Sequence, residues 1–220
     1  VSNERSSNEG NVEFLGAKIN HQYSKTFRFE ERFGEYVREF ITGSVRYFSL
    51  LRPLYEIQII RLFSEYPPYF SLFKSCNRKQ FEDSWCGRCP KCVSIFALFY
   101  PFLEADEMTK IFGSNFFDRE ENIPMLRQLT GLDAHKPFEC VGTLEETIGA
   151  LHLGVNRARR AARMPVALGF AEREILPRYP RAAEHATTVL RAWGSEHGLP
   201  PEYEAMIRAR LERVDSEGDE

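Results

Sequence analysis

No run of apolar residues in this chain of 220 reaches the roughly 18–20 needed to span a bilayer as a helix. No excess of one charge stands out either: 29 basic residues face 32 acidic ones, for a net charge of −3. Neither a nucleic-acid partner nor an anionic membrane surface is expected from that balance. The opening VSNERSSNEGN is polar and has no secretory-signal pattern. Cysteine is sparse, at five residues. A cytoplasmic setting, where structural disulfides are rare, is the expectation. The first residue is Val rather than Met, so the C-terminal part of a longer protein is expected. Hydrophobic residues make up 43% and charged residues 28%, enough for a sizeable core.

Four of the five cysteines crowd into SCNRKQFEDSWCGRCPKC as C-x9-C-x2-C-x2-C: Cys76, Cys86, Cys89 and Cys92. Tetrahedral Zn²⁺ takes four thiolates at about 2.3 Å, and short C-x2-C loops bring two of them to one ion. Gly87 suits the tight turn after Cys86. Lys74, Arg78, Lys79, Arg88 and Lys91 would offset the charge of a four-thiolate site. A thioredoxin-like pair would need a βαβ setting that is absent here. An iron–sulfur cluster and unlinked buried thiols stay as weaker readings. With four protein ligands and no open position, the expected Zn²⁺ is structural.

Periodicity gives a mainly α chain. VEFLGAKINHQ resembles a short β-hairpin. Phe33, Tyr36, Val37, Phe40 and Ile41 have helical spacing over Phe29 to Ile41. A second helix follows Pro53, with Leu54, Ile57, Ile60 and Leu62-Phe63 inward, and Pro67-Pro68 stops it. VSIFALFYPFL is apolar all round, the mark of a buried helix. Helices are also expected over Asp106 to Phe112 and Ile123 to Leu129, with Gly131 ending the second. Thr143 and Glu146 form a capping-box pattern. Composition shifts at Asn156, where Arg and Ala take over. Residues 1–155 read as one zinc-stapled portion, and 156–220 as a helical appendage. In that appendage RARRAAR reads as a solvated basic face or, less readily, a diphosphate site. Helices are expected over Thr187 to Gly194 and Tyr203 to Val214, then an acidic tail. No internal repeat is visible.

RPLYEIQIIRLF, SCNR and CGRCPKC resemble the C-terminal, zinc-clasped end of ATP pyrophosphatases such as 7-cyano-7-deazaguanine synthase. VSNERSSNEGN, NHQYSK, RYFSLLRPL, WCGRCPKC and HKPFECVGT, in that order, more closely resemble the UDP-N-acetylmuramoyl-L-alanyl-L-glutamate epimerase (MurL) family, over Val1 to Leu153. That resemblance implies the C-terminal part of an α/β ATP-pyrophosphatase-like enzyme. It would invert the terminal L-Glu of a UDP-muramyl dipeptide with ATP and Mg²⁺, by adenylating the glutamate carboxylate. The pyrophosphate-gripping S-G-G-x-D-S string is missing, as is G-x4-G-K-[ST]. A missing N-terminal nucleotide-binding portion of the same protein is therefore an expected partner, and this chain alone is expected not to turn over.

Three stretches supply candidates. Glu4, Arg5, Asn8 and Glu9 would face nucleotide or substrate, Arg5 toward a phosphate or carboxylate and Glu4 or Glu9 toward Mg²⁺. His21, Tyr23, Ser24 and Lys25 form a polar cluster for binding. In HKPFEC, Cys140, Glu139 and His135 are the acid/base candidates at the glutamyl Cα, with His135 or Lys136 lowering the thiol pKa. Inert packing is the competing reading for Cys140. The rival functions are a deazaguanine-type pyrophosphatase and a non-enzymatic zinc-stapled binding module.

Overall fold

The computed structural model describes residues 1–10, 12–133 and 137–217. The described chain is mainly helical, with one two-stranded antiparallel hairpin. It separates into two compact units: Val1–Leu62 with Ala192–Glu220, and Phe63–Arg191. The composition change at Asn156 is not where they part. Asn156 lies inside a helix, Leu144–Arg160, of the second unit.

The first unit opens with a 3-10 turn, Arg5–Asn8. β1 (Val12–Phe14) and β2 (Ala17–Ile19) then pair with Val12 opposite Ile19. Leu15 and Gly16, both at positive φ, make the connecting turn. α1 (Phe27–Tyr36) is capped by the Thr26 hydroxyl, which accepts from Phe29 N–H, and continues as a π-turn over Val37–Ile41. α2 (Glu56–Phe63) starts later than expected, because the chain around Pro53 forms turns first. Leu54 and Ile57 are fully buried there. The unit closes with α9 (Pro201–Glu217), and Leu54, Leu199 and Ile207 form its apolar centre with Phe48, Trp193 and Leu211 around them. The Gln58 side-chain amide donates to the Ala192 carbonyl at 2.9 Å, and Arg61 donates to the Val214 carbonyl at 2.9 Å. These long-range bonds bring the C-terminal helix back to the N-terminal segment.

The second unit is built round α3 (Pro90–Phe99), in which all but Lys91 are buried. It is shorter than the apolar run suggested: Pro101 follows its Tyr100 cap. Phe96 contacts Phe112, Phe116 and Phe117 with centroids 4.8–5.0 Å apart, in stacked and edge-on geometries that aromatic quadrupoles favour. α4 (Ala105–Phe112) and α5 (Ile123–Leu129) flank it. Past the Thr130 cap the chain leaves α5 through Gly131 at φ 70. α6 (Leu144–Arg160) starts from the Thr143–Glu146 capping box. α7 (Val166–Phe170) and α8 (Ala182–Arg191) complete the unit. Gly149 of α6 allows close approach to α8, since a Cβ there would lie 2.9 Å from Ala186 Cα. RARRAAR is not a wholly solvated face. Ala158 is buried, and Arg157 donates from Nη1 to the Tyr100 carbonyl at 2.5 Å and from Nη2 pairs with Glu104.

Candidate functional site

In the first unit, residues 1–10 form an anchored loop and not a solvated tail. Ser6 and Ser7 are buried, and Arg5 N–H donates to the Leu54 carbonyl at 2.7 Å. Its organiser is Arg52, which stands in RYFSLLRPL and is not among the candidate site residues. The Arg52 side chain is completely buried. Nη1 donates to the Glu4 carbonyl at 2.9 Å, Ser7 Oγ at 3.1 Å and Asn8 Oδ1 at 3.4 Å. Nη2 donates to the Lys25 carbonyl at 2.6 Å and to Glu30 Oε2 at 3.2 Å, and Nε also reaches Glu30 Oε2 at 3.3 Å. Glu30 is 3% exposed, and its other oxygen accepts from Ser49 N–H at 3.0 Å. The planar fork of a guanidinium allows one side chain to serve two loops in this way. A buried Arg on a sequence rich in surface arginines carries no local signal; only the long-range fold shows it.

Arg52 thus brings the two N-terminal candidate stretches together. Asn20 Nδ2 donates to the Ser7 carbonyl at 2.7 Å, and Phe27 N–H donates to Asn8 Oδ1 at 2.8 Å. Asn8, Asn20, Tyr23, Thr26, Arg28 and Glu31 line a cleft of about 460 Å³. Glu9, Tyr23 and Ser24 are exposed at this face, and Glu4, His21 and Lys25 are half-buried. The His21 pKa is lowered by burial and then by the Lys25 charge, which favours neutral imidazole. Arg5 lays its guanidinium 4.6 Å over the Tyr55 ring. It is packed there instead of extending into the cleft.

In the second unit, the four cysteines converge as the spacing predicts. All Sγ atoms lie within 4.8 Å of one another. A tetrahedron with 2.3 Å bonds has edges of about 3.8 Å, and Cys86 Sγ lies 3.7 Å from Cys92 Sγ. Cys89 N–H points at Cys86 Sγ (3.3 Å) and Cys92 N–H at Cys89 Sγ (3.4 Å), bonds that favour thiolates. Without a metal, Cys92 hydrogen-bonds Cys89 and takes the Cys89 thiol down to about 4, while the Cys92 thiol is pushed up by the same partner and by burial. One thiol keeps its proton so that its neighbour can lose one; a divalent cation relieves that competition by replacing the protons. Gly87 has φ 70, and a Cβ there would lie 3.0 Å from Phe116 Cε1 and against Arg119. The four residues fit a tetrahedral metal ion. Of the cations expected to surround them, Lys79 is paired with Glu82 at 2.6 Å.

HKPFEC divides. His135 and Lys136 lie outside the described residues. Glu139 accepts from Asn77 Nδ2 at 2.9 Å, and Asn77 adjoins Cys76, so this segment is tied to the cysteine clasp. Cys140 is half-buried, as is Glu139.

A helical unit with four converging cysteines and an Arg-organised polar loop set define the class: a helical protein with a candidate metal site. Comparison narrows it. Residues 1–50 match the MurL N-terminal domain and residues 72–182 the MurL C-terminal domain. The chain belongs to the MurL family. It is 37% identical over 210 residues, 92% of its length, to a protein of Micromonospora sp. named UDP-N-acetyl-alpha-D-muramoyl-L-alanyl-L-glutamate epimerase, 45% of which is covered. A protein of the same name from Xanthomonas oryzae pv. oryzae is 35% identical over 96% of the chain and 47% of the relative. One from Salinispora tropica is 39% identical over 70% of the chain and 34% of the relative. The chain therefore spans about half the length, or less, of these relatives. No solved structure matches it. The C-terminal match extends past Leu153, where the sequence resemblance stopped, to residue 182.

Proposed function

We propose that the chain is part of an enzyme that inverts the terminal L-Glu of UDP-MurNAc-L-Ala-L-Glu to D-Glu, in peptidoglycan precursor synthesis, through ATP-dependent adenylation of the glutamate carboxylate. The observation that carries the reading is the pair of MurL domain matches, which fall on the loop set and on the clasp.

The chemistry supports the adenylate. Removing the Cα proton beside a carboxylate places a carbanion next to a negative charge. Attack of the carboxylate on the α-phosphorus of ATP, with pyrophosphate leaving, gives an acyl-adenylate that removes that charge, and the electron pair left on Cα spreads onto the carbonyl oxygen. Reprotonation on the opposite face gives the D-glutamyl adenylate, which water hydrolyses to D-Glu and AMP. Cys140 and Glu139 are the acid/base groups on this reading, with His135 and Lys136 in the same stretch. One takes the proton from Cα and another returns one from the other side. Glu4, Asn8, Glu9, His21, Tyr23, Ser24 and Lys25 form the polar surface for nucleotide or substrate. Arg5 requires release from Tyr55 to join them. Glu4 and Glu9 flank one short turn and offer two carboxylates, which suits a phosphate-borne Mg²⁺. Cys76, Cys86, Cys89 and Cys92 would hold a Zn²⁺ that ties together the turn before α3 and the segment carrying the Asn77–Glu139 link.

The test is product analysis of the full-length protein with UDP-MurNAc-L-Ala-L-Glu, ATP and Mg²⁺. The reading expects D-Glu after hydrolysis and AMP in proportion. Inversion without AMP release would remove the adenylate and leave a direct proton-transfer epimerase.

A further inference from the structure

α1 buries little that is apolar within its own unit. Thr26, Glu30 and Val37 are buried and Phe27, Phe29 and Gly34 half-buried, and Glu30 pairs with Arg52. Its aromatic stripe points to solvent. Phe33, Tyr36 and Phe40, at i, i+3 and i+7, share one face and are 36%, 51% and 68% exposed. The stripe is ordered by ring contacts. Phe29 stacks on Phe33 at 5.7 Å, Phe33 meets Tyr47 edge-on at 4.8 Å, and Tyr36 lies 5.3 Å from Phe40. None of these rings joins the apolar centre of its own unit. Ile41 and Val45, both about 60% exposed, extend the patch beyond the helix.

The exposure is concentrated. Among the described residues, ten large apolar side chains are exposed over 1–50, against four over 72–182. The first range matches the MurL N-terminal domain, the second the C-terminal domain, and the chain spans only 45–47% of two full relatives. Large apolar patches on soluble proteins mark surfaces that something covers. A helix with its rings outside and an ion pair beneath is half of an interface.

We propose that the aromatic stripe of Phe33, Tyr36 and Phe40 is an intramolecular docking face, covered by part of the further length that the longer relatives carry. The occupant is apolar and fits against flat rings. Its own apolar side chains displace water from the stripe, and α1 becomes a buried helix between that part and the Arg52 network. This rests on family membership and not on epimerase chemistry, so a protein with no turnover leaves it standing.

Radical footprinting of side chains tests it, on the full-length protein and on the 220-residue chain, without substrate. Phe81, 96% exposed in the other unit, is the reference ring. Relative to Phe81, oxidation of Phe33, Tyr36 and Phe40 is expected to fall in the full-length protein compared with the short chain, as for rings shielded from water. Protection should not change with protein concentration, and Phe40→Glu in the full-length protein should restore oxidation at Phe33 and Tyr36. Equal oxidation in both proteins overturns the proposal. Protection that appears only as dimers form also overturns it, and gives the face to a second copy.

Discussion

Arg52→Met is the most informative single change in the first unit. It removes six hydrogen bonds, four to two loops and two to Glu30, and leaves Glu30, 3% exposed, as a buried carboxylate without its cation. Breaking a buried pair from one side costs about 3–5 kcal/mol, a large share of a margin that is about 5–15 kcal/mol for a whole domain. The Met stem fills the space of the Arg stem, so little of the loss comes from a cavity. Arg52→Lys keeps the charge but cannot serve both loops, and a smaller loss, about 1–3 kcal/mol, is expected from the hydrogen bonds given up. Denaturant unfolding followed by Trp193, in a Trp85→Phe background, reads this unit alone, because the chain has two tryptophans. Adding Glu30→Gln to Arg52→Met should recover part of the loss by discharging the orphan. A loss below about 1 kcal/mol for Arg52→Met would show that water reaches Glu30 and would refute the buried-hub reasoning.

The second unit makes three further predictions. Gly149→Ala drives a Cβ into the Ala186 backbone, and overpacking of this kind costs about 1–3 kcal/mol; thermal unfolding should show it, and an unchanged Tm would mean that α6 and α8 separate freely. Gly87→Ala combines a positive φ with a clash at Arg119 and Phe116. Zinc competition with a chromogenic chelator should show weaker metal retention while the helical circular dichroism of zinc-loaded protein persists. His152 in α6 has its pKa lowered by burial and then by Arg159. Its protonation therefore favours the unfolded chain, and stability falls as pH drops from the ordinary His value near 6.5 through the lower folded value. His152→Gln should flatten that part of the pH–stability profile; an unchanged slope would contradict the assignment.

Local chemistry was legible in the sequence. The cysteine spacing foretold a convergent site because short C-x2-C loops leave thiolates few alternatives. Thr143 and Glu146 marked the start of α6 because both halves of a capping box sit within four residues. Phe33, Tyr36 and Phe40 announced a helix, yet periodicity does not say which face is inside, and here the rings face out. Long-range partners were not legible. Arg52 looks like any arginine until Glu4, Ser7, Lys25 and Glu30 surround it. The Arg/Ala-rich end read as one appendage, but α9 folds with the N-terminal segment while α7 and α8 pack with α6, because burial of Ile207 and Leu199 against Leu54 depends on tertiary contacts that composition does not encode.

The proposed reaction is ATP-dependent inversion at the glutamyl Cα. Its most direct measurement is wash-in of solvent deuterium, using full-length protein with UDP-MurNAc-L-Ala-L-Glu, ATP and Mg²⁺ in D₂O. Deuterium is expected at the glutamyl Cα, dependent on ATP and lost when Cys140 and Glu139 are replaced together by Ala and Gln. Folded, metal-loaded protein that hydrolyses ATP yet leaves the Cα proton in place would contradict it.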